Sequence, residues 1–154
     1  MPPHWAGRPS EDRREDADAW LDHICDDPQA DDTRVGVLGY GAGADLALRV
    51  AAWRAERAAA VAAFGGRGVS PAGAREIAQR INGLVRLGYP TGPAAARAGH
   101  LEAALCAAGV DFDVEVYAAE PSWTGILDLF TRALAPSPTD GARPGGIFPA
   151  SFNS

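Results

Sequence analysis

The ten residues VGVLGYGAGA, positions 35–44, decide the fold of this chain. The run from Val35 to Leu38 is apolar without alternation, which is typical of a strand covered on both faces. Glycines at positions 39, 41 and 43 follow and predict a tight turn, and residues 44–57 have a strongly helical composition. A strand that passes through a glycine-rich turn into a helix indicates an α/β fold.

The same alternation of strand and helix extends along the rest of the chain. The predicted strands cover 35–39, 58–64, 84–89 and 111–117, the predicted helices cover 11–25, 44–57, 93–108 and 121–134, and residues 71–80 form a short helix or an irregular excursion. This order predicts a truncated parallel sheet of about four strands with flanking helices. In the last strand Phe112, Val114 and Val116 alternate with acidic residues, so we expect a solvated face and a place at the outer edge.

Length and composition indicate one globular domain. The chain has 154 residues, of which 47% are apolar. Residues 1–9 predict a flexible lead-in, residues 10–135 the folded domain, and the Pro- and Gly-rich residues 136–154 a disordered tail. No apolar stretch approaches the roughly 18 residues of a membrane span, and the first residues do not resemble a signal sequence. We therefore expect a cytoplasmic protein that does not bind membranes.

Charge and residue usage exclude several classes of function. The net charge of −6 has the wrong sign for a protein that binds nucleic acid. All basic residues are arginine, which excludes lysine Schiff-base chemistry and a Walker-type phosphate loop. Cys25 and Cys106 lie far apart in predicted helices and are interpreted as buried thiols. No set of His, Cys and carboxylate side chains has metal-ligand spacing, so we expect neither a metal nor a cofactor.

The glycine turn fits two different kinds of site. Gly39-x-Gly41-x-x-Ala44 satisfies a relaxed dinucleotide-binding fingerprint, but that site needs an acidic residue about 20 positions later, and FGGR at 64–67 supplies none. Asp45 would also lie close to the bound phosphates. Gly39-x-Gly41-x-Gly43 instead carries the outer glycines of a nucleophile elbow, the strained turn that lifts a reactive side chain to the top of a sheet.

Further segments favour the elbow. DDTRVGVLG at 31–39, FG at 64–65, LVRLG at 84–88, AAGV at 107–110 and VEVY at 114–117 occur in this order. Their order and spacing resemble the C-terminal half of the domain of the dienelactone hydrolase family, over about residues 16–134. The resemblance implies an α/β-hydrolase-type domain.

The same resemblance implies a degraded catalytic triad. The family carries a Cys or Ser at the elbow, an Asp in the loop after the third of these strands and a His after the last one. The corresponding positions here are Gly41, Thr91 and Ser122. The His is either replaced by Ser122 or deleted together with its loop. Glycine has no nucleophile, and Thr cannot orient and charge-stabilise an imidazole as a carboxylate does. The three histidines fall in the lead-in and in two helices, so none is expected to serve as the base.

The function that this pattern predicts is a non-catalytic binding or scaffold subunit on a hydrolase frame. The alternative is an enzyme that performs a non-hydrolytic or atypical step on an anionic small molecule at the strand tips, with Arg67 as the anion clamp. The candidate ligand-binding residues are Tyr40, Gly41, Ala42, Arg67 and Tyr89.

A partner is expected at one edge of the sheet. The run from Val35 to Leu38 lies where the strands absent from this chain would pair, and an apolar edge strand promotes association. We therefore expect a homodimer or a partner protein to cover this strand.

Overall fold

The structure, a computed structural model, describes residues 10–31, 33–92 and 99–135. Strands and helices alternate over these residues, as predicted. The elements are α1 (Ser10–Cys25), β1 (Val35–Tyr40), α2 (Ala42–Trp53), β2 (Ala58–Phe64), α3 (Pro71–Arg80), β3 (Leu84–Pro90), α4 (Gly99–Ala107), β4 (Phe112–Tyr117) and α5 (Trp123–Leu134). The expected lead-in, the expected tail and the predicted start of α4 lie outside the described residues.

The four strands form one parallel sheet in the order β1-β2-β3-β4. This confirms the predicted α/β class and the predicted strand number. β4 lies at one edge, as expected, and among the described residues β1 has no pairing partner on its outer side. Because all four strands run in the same direction, their carboxyl ends meet at one side of the sheet, where folds of this kind place their chemistry.

Two hydrophobic clusters pack on opposite faces of the sheet. The larger cluster joins α2, α3 and α4 to the sheet and includes Leu48, Ile77 and Leu105. The smaller cluster lies under α5, where Ile126 packs with Phe64 of β2. β2 is therefore covered on both sides, which explains why its sequence is an uninterrupted apolar run.

Most predicted bounds differ from those of the structure by one or two residues, and the differences at β1 and α2 bear on the glycine turn. β1 continues through Tyr40, because that residue still pairs with Phe64, and α2 begins immediately afterwards at Ala42. α2 also ends at Trp53, four residues before the predicted end. The ambiguous segment 71–80 is a helix, whose first turn is capped by the Ser70 hydroxyl accepting from the Gly73 N–H at 3.1 Å.

The prediction that the acidic residues of β4 form a solvated face is wrong in part. Val116 is 57% exposed, whereas the Glu115 side chain is only 19% exposed. Glu115 accepts from Arg86 Nη2 at 2.9 Å and from the Ser122 N–H at 2.8 Å. The acidic residue is enclosed because the chain that follows β4 turns back across this face before α5 begins.

The interpretation of both cysteines as buried thiols is also wrong. Cys106 is exposed on α4, and Cys25 is half-buried at the end of α1 with its sulfur against the guanidinium of Arg57. Arg54, the residue after α2, forms ion pairs with two residues of α1, Asp18 at 3.4 Å and Asp22 at 3.1 Å. Within the described part of the chain, no helix combines the length and apolarity that crossing a membrane requires.

Candidate functional site

The turn between β1 and α2 has the backbone geometry of an elbow. Gly41, the single residue between the two elements, has φ +54° and ψ −123°, a left-handed conformation that costs a side-chain-bearing residue energy. Its N–H donates to the Phe64 carbonyl at 2.8 Å, which holds the turn against β2. Gly39 allows α2 to approach β1 closely, since a Cβ at that position would lie 2.2 Å from the Gly43 carbonyl oxygen.

The elbow presents no functional group. A Cβ at Gly41 would meet no atom within 4 Å, so the space that a nucleophilic side chain would occupy is open. Ala42 follows and begins α2, whose first N–H groups have no partner within the helix. The turn therefore combines the backbone conformation of an elbow with a residue that has no side chain.

Thr91 and Ser122, the other two positions predicted for the triad, make structural hydrogen bonds. Thr91 follows β3 and donates its N–H to the Tyr117 carbonyl at 2.9 Å, which ties the ends of β3 and β4 together. Ser122 is the N-cap of α5, with its hydroxyl accepting from the Gly125 N–H at 3.1 Å. A capping hydroxyl satisfies a helix donor that would otherwise have no partner. No hydrogen bond or ion pair of the described residues joins Thr91 to Ser122.

A cavity of about 350 Å³ lies between α1, the length of α2 and the loop after β2. It is lined by Arg13, Ala42, Asp45, Leu46, Arg49, Trp53 and Arg67. Two of the candidate ligand-binding residues, Ala42 and Arg67, therefore meet at this cavity. Sequence reasoning missed Arg13 and Arg49, because a pattern of residues does not tell which faces of two helices turn toward each other.

Tyr89 lies elsewhere, within the core. It lines a void of about 20 Å³ that is large enough for one water but not for a ligand. Burial raises the pKa of Tyr89 to about 12, and the nearby carboxylates of Glu102 and Asp45 make smaller contributions in the same direction. Its hydroxyl is therefore protonated at physiological pH.

Tyr40 points to the α5 side of the sheet. Its ring stacks on Phe64 at 5.5 Å and lies 6.3 Å from Trp123, and burial raises the pKa of the Tyr40 hydroxyl. Tyr40, Leu38, Trp123 and Leu127 are all exposed, with exposed fractions of 37% to 62%. We call these four residues the β1–α5 apolar surface. It lies along the open edge of the sheet.

Metal chemistry receives no support from the side-chain arrangement. Over residues 10–31, 33–92 and 99–135, no group of three or more His, Cys, Asp or Glu side chains could hold an ion. His23 and His100 are exposed on α1 and α4.

Comparison with known proteins places this frame in a family. The model of the family described as "Dienelactone hydrolase family" matches residues 1–124. No curated protein sequence is significantly similar to the chain.

Solved structures similar to this chain share the frame. A dienelactone hydrolase-like promiscuous phosphotriesterase from metagenomic libraries is 22% identical over 85% of this chain and 56% of its own length, with a TM-score of 0.58. The Bacillus cereus carboxylesterase is 15% identical over 80% of this chain and 61% of its own, with a TM-score of 0.57. Porphyromonas gingivalis dipeptidyl peptidase 4 is 17% identical over 78% of this chain and 21% of its own, with a TM-score of 0.59.

These similarities show the α/β-hydrolase fold. The chain spans between about a fifth and three fifths of the length of the three structures.

Proposed function

This chain belongs to the dienelactone hydrolase family, and from that premise we propose that it is a member without hydrolase activity, acting as a binding or scaffold subunit. The observation that carries the proposal is the elbow. Gly41 keeps the conformation that presents a nucleophile, but no side chain is present to attack an ester carbonyl. Its cytoplasmic location remains a prediction.

The remaining triad positions support the same conclusion. A base must hydrogen-bond the nucleophile, and an acid must orient the base. Thr91 is neutral and, through its backbone, tied to β4, while the Ser122 hydroxyl is occupied by the first turn of α5. This chain therefore lacks the nucleophile, the base and the acid that hydrolysis in this family requires.

A second copy of the chain is the partner that we assign to the open edge of β1. A two-fold axis beside an edge strand pairs that strand with its own copy and buries the same surface on both subunits. The β1–α5 apolar surface continues directly from this edge, through the contact between Tyr40 and Trp123. Pairing at β1 would thus cover both the free backbone groups and the apolar side chains.

Ester hydrolysis tests the proposal. We expect the full chain to hydrolyse p-nitrophenyl acetate, propionate and butyrate at the rate of buffer alone. We also expect Gly41→Ser to remain inactive, because a serine hydroxyl without a base or an acid stays a weak nucleophile. Turnover that scales with protein concentration and is lost on substitution of a single residue would contradict the proposal.

A further inference from the structure

The cavity between α1 and α2 concentrates positive charge in an acidic protein. Arg13 comes from α1, Arg49 from α2 and Arg67 from the loop after β2, so three separate segments contribute one guanidinium each. Asp45 is the single acidic residue among the lining side chains, which leaves a surplus of two positive charges. The chain as a whole has a net charge of −6, so this charge is a local feature.

In the part of the chain that the structure describes, no carboxylate forms an ion pair with Arg13, Arg49 or Arg67. The Arg13 Nε is enclosed and has no hydrogen-bond partner in the described part of the chain. The Nε atoms of Arg54 and Arg86 also have no hydrogen-bond partner, but each of these arginines forms an ion pair, Arg54 with Asp18 and Arg86 with Glu115. A buried donor without a partner and converging like charges are both costly unless an anion satisfies them.

Part of the cavity wall is apolar. Trp53 and Leu46 lie on α2 beside Arg49. The volume of about 350 Å³ is within the range of small-molecule sites and exceeds the space that an inorganic anion needs.

From these observations we propose that the cavity binds a small organic dianion with an apolar body, of the phosphate monoester or dicarboxylate class. Its charged groups lie among Arg13, Arg49 and Arg67, and its body packs against Trp53 and Leu46. Guanidinium groups match both chemistries because they donate paired hydrogen bonds to the oxygens of carboxylates and phosphates. The site does not depend on whether the chain hydrolyses esters.

Calorimetric titration of the full chain with phenyl phosphate and with phthalate tests the proposal. At about pH 8 both probes are dianions, because the second pKa of a phosphate monoester is about 6. We expect saturable binding of at least one probe, and the tighter one identifies the ligand class. Inorganic phosphate, which lacks the apolar body, should bind more weakly.

Matched substitutions locate the site. Arg49→Gln and Arg67→Gln should each raise the dissociation constant about tenfold or more, the effect of losing a charge-assisted hydrogen bond. Arg75→Gln removes the same charge from the exposed face of α3, where the side chain donates to the Pro71 carbonyl, and should change the dissociation constant by less than about twofold. Arg67 is exposed in a loop, so its substitution keeps the fold intact even if Arg49→Gln does not.

Three results would overturn the proposal. The first is a response to both probes no larger than that of chloride at matched ionic strength. The second is equal weakening by Arg67→Gln and Arg75→Gln, which would indicate a general effect of charge. The third is binding of inorganic phosphate as tight as that of phenyl phosphate, which would contradict the role of the apolar wall.

Discussion

Substitution of Gly39 by alanine should destabilise the protein more than any other change of one methyl group at the elbow. The added Cβ would lie 2.2 Å from the Gly43 carbonyl oxygen, 2.7 Å from the Gly43 carbonyl carbon and 2.8 Å from the Ala47 Cβ. Ordinary contact begins at 3.4 Å, and two of the three atoms belong to the backbone of α2. The helix must therefore move away from β1 by about 1 Å, which places the cost in the overpacking range of about 1–3 kcal/mol.

Gly43→Ala is the matched control. A Cβ at Gly43 would meet no atom within 4 Å, and the residue lies inside α2, where alanine is favoured over glycine. We expect this variant to be as stable as the wild type or slightly more stable.

Urea unfolding of both variants, followed by tryptophan fluorescence and by far-UV circular dichroism, provides the comparison. The midpoint for Gly39→Ala should fall, with the slope unchanged, and that for Gly43→Ala should not. A free energy of unfolding for Gly39→Ala within about 0.5 kcal/mol of wild type would refute the close approach of α2 to β1.

Three further predictions follow from other parts of the structure. Arg86→Leu should lower the free energy of unfolding by about 1–3 kcal/mol, measured by urea unfolding, because Glu115 then stays half-buried without its cation. Tyr89 has a folded-state pKa of about 12 against 10 when unfolded, so its contribution to stability is complete below pH 10 and is lost as the pH rises toward 12. Tyr89→Phe should reduce the loss of stability between pH 9 and about pH 11 by roughly 1 kcal/mol. Light scattering at micromolar concentration should give a dimer mass that Leu38→Arg reduces to that of a monomer, since Leu38 is exposed on the edge strand.

Each of these predictions has its own control. Arg132→Leu removes an exposed arginine that pairs with Asp128 one turn away, and it should cost less than Arg86→Leu. A Tyr89→Phe variant with the same alkaline loss as the wild type would contradict the assigned pKa. A monomer mass for the unsubstituted chain would contradict pairing through β1.

The sequence predicted the frame of the protein because local patterns determine it. The apolar runs of β1, β2 and β3 and the helical composition between them gave the strand number and the order of elements. The glycines at 39, 41 and 43 predicted the elbow, and Gly41 has the positive φ of +54° that such a turn requires. The bounds were less accurate, since whether Tyr40 still pairs with Phe64 depends on the length of the neighbouring strand.

The sequence did not predict features that arise between distant segments. Alternation along β4 suggested that Glu115 faces water, but Arg86 of β3 and the backbone of Ser122 enclose it. Likewise, the sequence indicated Arg67 as a single anion-binding arginine in a loop. Its convergence with Arg13 and Arg49 depends on how α1 lies across α2. Such contacts are separated by tens of residues, and no local periodicity encodes them.

The central claim is that this chain contains no activated nucleophile, and labelling with a fluorophosphonate probe tests it most directly. Such a probe phosphonylates a serine that a neighbouring base activates, whichever ester the enzyme would prefer as substrate. We predict no labelling of the full chain under conditions in which an active serine esterase is fully labelled. Stoichiometric labelling that peptide mapping assigns to Ser122 would contradict the claim, because a hydroxyl that caps α5 would then be reacting as a nucleophile.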